Sequence, residues 1–345
     1  MFQNEFVVLT TFTISNNQQI NVSMTKSALF LFSTLLLTFV NSCNKDDATT
    51  TETSDEFVVN VIPANFLTGG LVSPITIESR TLSDGSTADC YKIVVNSLAS
   101  DHTMGPWCPT NIADDASKGG IWLEGGKVYD VDGEFVKNMA TFYKDNTWMM
   151  YDATTGAITK TSTQTECQEA ANPNVGEQYK NYCVECLPSY VADLSHTYYI
   201  PVTPKKASSP IAFGNGPMSS GPSSRGLAFN GVVFDAPAPT SVILAAYTLA
   251  PFDDAGGHIN LAAGYHYHAA TGLTTKIAQT DNHAAMIGYA MDGYGIYERL
   301  DSEGKEASDL DSSRGHTDTT RGYHYHVDAA GNNNFINSLH GEYAL

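Results

Sequence analysis

Six of the ten histidines in this 345-residue chain fall in two sixteen-residue segments, 253–268 and 311–326, offset by fifty-eight positions. Asp253 aligns with Asp311, Gly257-His258 with Gly315-His316, and Gly264-Tyr265-His266-Tyr267-His268 with Gly322-Tyr323-His324-Tyr325-His326. Eight of sixteen positions are identical, all of them Asp, Gly, His or Tyr, and such self-similarity marks an internal repeat. Each copy reads D-x4-H-x7-H-x-H. On a strand, side chains two apart share a face, so His266 and His268 point together, as do His324 and His326. Two imidazoles so placed can grip a divalent metal. The earlier histidine of each copy, His258 or His316, can return across the strand through a glycine turn as a third ligand. Neutral imidazoles suit copper or zinc first and also iron, and three of them leave a coordination position for water or substrate. Asp253 and Asp311 are candidates for a fourth ligand, for an acceptor that fixes an imidazole tautomer, or for a general base. Tyr265, Tyr267, Tyr323 and Tyr325 face the other way, where packing is the first expectation. Two choices stay open: two three-histidine sites or one shared across a pseudo-twofold, and metal ligation or a metal-free lattice of hydrogen-bonded histidines.

The elements that must position these residues are mostly strands. Runs of alternating character lie at 56–62, 91–95, 121–123, 127–131, 140–143, 148–151 and 157–161. They are separated by the turn signals Gly125-Gly126, Asp132-Gly133, Lys144-Asp145-Asn146 and Thr154-Thr155-Gly156. Residues 119–163 therefore read as a β-meander, part of one domain or a lobe of its own. Residues 164–171 hold helix formers without an apolar stripe. The Pro-, Ser- and Gly-rich stretch 201–226 reads as a long loop, and strand signals resume at 227–234, with an Asn230-Gly231 turn, and at 242–249. The expected class is mainly β, with meander or sandwich-like sheets, long loops and few short helices. No P-loop, nucleophile-elbow serine or HExxH helix occurs.

Thirty-seven acidic against eighteen basic residues give a net charge of −19. That balance excludes nucleic-acid binding through phosphate neutralisation and attachment to anionic lipid by charge, while a cation is drawn to such a surface. Near the N-terminus, Lys26 precedes a thirteen-residue apolar run, 28–40, too short to span a bilayer and suited to a signal-peptide core. It ends at Asn41-Ser42-Cys43, similar to a bacterial lipoprotein signal. The expectation is an upstream extension and signal over 1–42, with Met1 or Met24 as the start. Lipidation of Cys43 would follow, with a tether over 43–56, export to the outer membrane on its periplasmic or surface side, and a folded domain over 57–345. The bilayer is then a partner through Cys43. In such a compartment Cys90, Cys108, Cys167, Cys183 and Cys186 are disulfide candidates with one left over, and one cysteine of the 183/186 pair is expected to bridge to Cys167.

The paired GYHYH segments, with HAAMIGYAMDGYGIY between them, resemble the YHYH-domain proteins, a group of exported and lipoprotein-type bacterial proteins. GLAFNGVVFDAPAP at 226–239, TYYIPVTPKKAS at 197–208 and SDHTMGPWCPT at 100–110 extend the resemblance over about residues 86–345. It implies no particular reaction or substrate. It does place His102 and His283 in the same domain as the repeats, His283 as the stronger candidate ligand and His102 as the weaker. Asp292-Gly293 reads first as a turn and second as the source of a catalytic carboxylate. His340 reads as an exposed tail residue, and His196 has no assigned role. The leading expectation is a metal-binding exported lipoprotein acting as a hydrolase or an oxidoreductase. The competing one is a non-enzymatic surface module that takes a glycan, protein or small-molecule ligand and whose histidines are structural.

Overall fold

The computed structural model describes residues 57–345 apart from 172–173 and 215–220. Cys43, the signal and the tether lie outside the described residues. Among the described residues the chain is mainly β, with three short α-helices, and no helix is long and apolar enough to cross a membrane.

The centre is an eight-stranded sheet. Its strands, in chain order, are β1 (Gly226–Ala228), β2 (Val233–Phe234), β3 (Gly257–Asn260), β4 (Gly264–Tyr267), β5 (Met286–Ala290), β6 (Gly295–Tyr297), β7 (Gly315–Asp318) and β8 (Gly322–His326). Their spatial order is β3-β4-β2-β1-β5-β6-β8-β7, which reads the same from either edge once the two halves are matched. Each half is a tight hairpin at the middle (β1-β2, β5-β6), a parallel step (β2 to β4, β6 to β8) and an outer hairpin (β3-β4, β7-β8). At the join, β1 and β5 are antiparallel with Leu227 opposite Tyr289 and Gly288 opposite Ala228. Antiparallel strands related in this way have a twofold axis perpendicular to the sheet, so equivalent residues of both halves lie on one face. The register agrees. His266 pairs with Val233, Val233 with Leu227, Leu227 with Tyr289 and Tyr289 with Gly295, and two residues beyond Gly295 Tyr297 pairs with His326.

The structure thus extends the repeat beyond the histidine segments. Gly226, Ala228 and Gly231 of the first central hairpin match Gly288, Ala290 and Gly293 of the second. Buried aromatic and aliphatic side chains, among them Phe229, Phe234, Tyr265, Tyr267, Ile287, Ile296 and Tyr325, form the core around the sheet.

A three-stranded antiparallel sheet, Thr76–Thr81, Thr87–Asn96 and Ser195–Pro201, adds Ile93, Val95 and Ile200 to the same core. A second core gathers Trp122, Val136, Met139, Trp148 and Met150 with Leu249 and Phe252. The Cys108–Cys183 disulfide lies in this second core and the Cys167–Cys186 disulfide in the first, and Cys90 is free and buried. The Cys167–Cys186 bridge is the one expected for the 183/186 pair.

Several local expectations are corrected. Residues 140–143, read as a strand, end the helix Gly133–Phe142. The Asp132-Gly133 turn signal is that helix's start, the Asp132 carboxylate accepting from the Phe135 amide as its N-cap. Residues 242–245, half of the 242–249 run, belong to the helix Thr240–Ala245, and only Thr248–Leu249 is a strand. The 201–226 stretch contains the strand Lys206–Ala212, which pairs with Ser338–Gly341 near the C-terminus. His340 is therefore no free tail residue. It is half-buried in that last strand, with its ring stacked on Tyr323 at 3.6 Å. The weak helical signal at 164–171 is a helix, Gln164–Ala170, opened by a Thr163–Glu166 capping box.

Candidate metal centres

The antiparallel register of each outer hairpin sets His258 directly opposite His266 and His316 directly opposite His324. Directly opposed side chains share a face at about 5 Å between Cβ atoms, and the histidine two residues further along, His268 or His326, joins them. The ring centroids in the first group are 4.7–4.9 Å apart. In the second, His283 enters from the segment before β5, 4.8 Å from His324 and 4.9 Å from His326. Two separate sets of converging nitrogens result, His258–His266–His268 and His283–His316–His324–His326, every ligand atom within 4.8 Å of the others in its set. Four strands lie between β4 and β8, so at ~4.8 Å per strand the two sets are about 24 Å apart along the sheet. The choice left open by the sequence falls to two sites.

Hydrogen bonding decides which nitrogen of each ring faces inward. Nδ1 of His266 lies 2.9 Å from the Gly264 carbonyl and Nδ1 of His324 2.9 Å from that of Gly322. Nδ1 of His268 meets the Ala236 carbonyl at 2.6 Å, and Nδ1 of His326 meets the Glu298 carbonyl at 2.9 Å. Ala284 accepts from His283 in the same way at 3.0 Å, Asp309 holds Nδ1 of His316 at 2.8 Å, and the backbone of Ala250 bonds His258. A carbonyl can only accept, so Nδ1 carries the proton and Nε2 presents a lone pair to the group's centre.

The inward nitrogens lie close together. Nε2 of His258 and His268 are 3.2 Å apart. In the second group the His283–His324, His316–His324 and His316–His326 pairs are 2.9, 3.0 and 3.2 Å apart. Lone pairs at that distance repel unless a cation sits between them. The edge of a tetrahedron with metal–nitrogen bonds of ~2.0–2.1 Å is about 3.3 Å, close to these separations. Burial disfavours added protons on most of these rings, lowering His258 and His268 well below the ordinary imidazole value and lowering His266 and His283. It brings His324 to about 3 and His326 to about 4. Each set could hold a metal ion, and backbone carbonyls, or the Asp309 carboxylate for His316, fix the tautomers from behind.

The glycine that opens each GYHYH segment has two tasks. Its carbonyl holds the first HxH histidine, and it takes a left-handed backbone, φ +74 at Gly264 and +63 at Gly322. A Cβ on Gly264 would lie 2.1 Å from Cβ of Ser97, and one on Gly322 would lie 2.2 Å from the Phe57 carbonyl.

The aspartates of the repeat serve the opposite face. Asp253 accepts from the Tyr265 hydroxyl at 2.8 and 2.9 Å and from the amides of Gly105 and Gly257. Asp311 accepts from the Tyr323 hydroxyl at 2.9 Å and from the amides of Ser313 and Gly315. Asp292, fully buried and raised to about 6 by that burial, accepts from the Tyr325 hydroxyl at 2.5 Å and from the Gly341 amide. The matching bond in the first half runs from the Asn230 amide to the Tyr267 hydroxyl at 2.7 Å. None of the three aspartates belongs to either histidine set. The tyrosines are thus anchored by carboxylates or an amide as well as packed. His102 is on this face too, with Nδ1 2.7 Å from Asp101 and Nε2 3.2 Å from the Tyr265 hydroxyl. It joins neither set, nor does His196.

The sets differ in what surrounds them. His258, His266 and His268 border a cavity of about 340 Å³, walled mainly by apolar residues such as Trp107, Val184, Pro237, Ile243 and Ile259. Asp235 lines the same cavity, and its charge raises His266 against the lowering by burial. In the second half the residue matching Asp235 is Tyr297, whose ring packs 4.9 Å from both His283 and His324. Asp235, Asp309 and Tyr297 were not singled out in the sequence. Asp309 lies seven residues before His316 with no periodic cue, and Asp235 and Tyr297 become conspicuous only when the two central hairpins are aligned.

Residues 197–309 match the family model described as YHYH protein. No curated protein and no solved structure matches the chain. The match takes in the first repeat and His283 and stops before the second repeat, while residues 86–196 and 310–345, also covered by the sequence resemblance, lie outside it. The matched residues include the two central hairpins and the first GYHYH strand, so over residues 197–309 this chain is similar to the YHYH domain.

Proposed function

We propose that the protein is an exported lipoprotein, anchored through Cys43, whose YHYH domain holds two transition-metal ions. The observation that carries this reading is the convergence of seven Nε2 lone pairs in two sets, with Nδ1 held from behind by backbone carbonyls or Asp309. An all-imidazole donor set suits zinc or copper, with iron as the next choice. The four-histidine centre has a full tetrahedral set, the pattern of a structural site. The three-histidine centre has one position left and faces a cavity, the pattern of a working site, where a bound metal would supply Lewis acidity for hydrolysis or, if copper, redox chemistry. Export and the bilayer partner rest on the N-terminal signal, and the two disulfides agree with an oxidising compartment.

The test is elemental mass spectrometry on the chain purified without a polyhistidine tag. Two equivalents of zinc or copper are expected, falling to one in His266→Ala/His268→Ala and to one in His324→Ala/His326→Ala. A chain that arrives empty and refuses added zinc and copper at neutral pH would overturn the reading in favour of a surface module with structural histidines.

A further inference from the structure

The two halves of the sheet match in strand register and in the carbonyls behind both HxH histidines, but not in what lies over the histidines. In the second half a fourth imidazole, His283, closes the set, and the Tyr297 ring packs against it. In the first half no fourth histidine, cysteine or carboxylate among the described residues comes within ligand reach, and a cavity takes that place. Its volume of about 340 Å³ is within the ~300–1,000 Å³ typical of small-molecule sites, and its apolar walls with a few polar groups fit the same pattern. The carboxylate at Asp235 is such a polar group. Its Oδ1 accepts from the Ala236 amide at 2.8 Å, which fixes its orientation at the end of β2, next to the carbonyl that holds His268.

We infer that the three-histidine centre is the receptor for a small, largely apolar molecule that reaches the metal through one oxygen-bearing head group, Asp235 accepting a hydrogen bond from that head. The inference rests on the proposal that the three histidines hold a metal. A metal on three neutral imidazoles keeps its positive charge and binds an oxygen donor in the remaining position. The apolar walls reward a hydrocarbon or aromatic body.

The probes are acetohydroxamic and benzohydroxamic acid, which share a metal-binding head and differ in apolar body, added to the cobalt(II)-loaded full chain. The visible cobalt spectrum is expected to change for one of the two cobalts, with benzohydroxamic acid binding at least tenfold more tightly. The change persists in His324→Ala/His326→Ala, which keeps the three-histidine set, and disappears in His266→Ala/His268→Ala. Ile243→Glu keeps both cobalts and abolishes the preference for the aromatic probe, and Asp235→Asn weakens both probes severalfold. Two bound cobalts with no spectral response, or with equal affinity for the two acids, would overturn this inference and leave the two-centre reading standing. A chain that takes up no cobalt would overturn the two-centre reading and this inference with it.

Discussion

Of the seven histidines in the two sets, His316 is held by a side-chain carboxylate, Asp309, whereas five others lean on backbone carbonyls at Nδ1. Outer-shell carboxylates of this kind are typically worth ten- to a hundredfold in metal affinity. Asp309→Asn should weaken the four-histidine centre by about that factor and leave the other unchanged, which a chelator competition titration on each half-site variant resolves. Asp311→Asn, two residues on, should change stability more than affinity, because its carboxylate holds Tyr323 and a turn. Acid is the second test at this scale. Burial puts His324 at about 3 and His326 at about 4, below the ~6.5 of an exposed imidazole. Between those values the unfolded chain binds more protons than the folded one, so stability rises with pH across that window. The metal-free chain should therefore be at full stability above about pH 6.5 and lose it as the pH falls towards 4. Melting temperatures across that range check this, and His324→Gln should flatten the dependence.

At the scale of elements, the HxH spacing and the glycine before it were legible because a strand's alternation and a left-handed turn leave marks in sequence. Their consequence is testable. Gly264→Ala would force φ +74 on a side-chain-bearing residue with its Cβ 2.1 Å from Ser97. It should cost roughly 1–3 kcal/mol or more and lower metal content at the three-histidine centre alone, read by thermal denaturation and elemental analysis. The longer repeat was not legible. Its central hairpins keep only small residues in common, since their buried positions exchange one apolar side chain for another, Leu227 for Tyr289 and Phe234 for Ile296. The connection to the outer hairpin is also four residues longer in the first half, so one fixed offset cannot align both parts. The helix misreadings have a related cause. Residues 242–244, Val-Ile-Leu, have a strand's composition, but the chain turns them into one short helix beside the cavity. Asp132-Gly133 is a helix cap that is indistinguishable in sequence from a hairpin turn.

For the whole molecule, the mainly β class followed from composition and turn spacing, and the pairing of distant strands could not. Lys206–Ala212 with Ser338–Gly341 is such a pairing, as is the meeting of β1 with β5 that makes one sheet of two repeats. The disulfides act at this scale too, closing loops with sequence separations of 75 and 19. Loops of those lengths suggest about 3–5 kcal/mol per bridge. Reduction should lower the denaturation midpoint accordingly, measured in guanidinium with and without reductant. Cys186 and Glu185 line the cavity, so probe affinity at the three-histidine centre should also fall on reduction.

The central claim is that one sheet carries two metal centres of unequal coordination. Anomalous diffraction from crystals of the zinc- or copper-loaded chain, recorded at the metal's absorption edge, tests it most directly. Two peaks about 24 Å apart along the sheet are predicted. One should lie about 2.0–2.1 Å from Nε2 of His283, His316, His324 and His326, the other at that distance from Nε2 of His258, His266 and His268 alone. A single peak, or none with the histidines still packed at 3 Å, would contradict it.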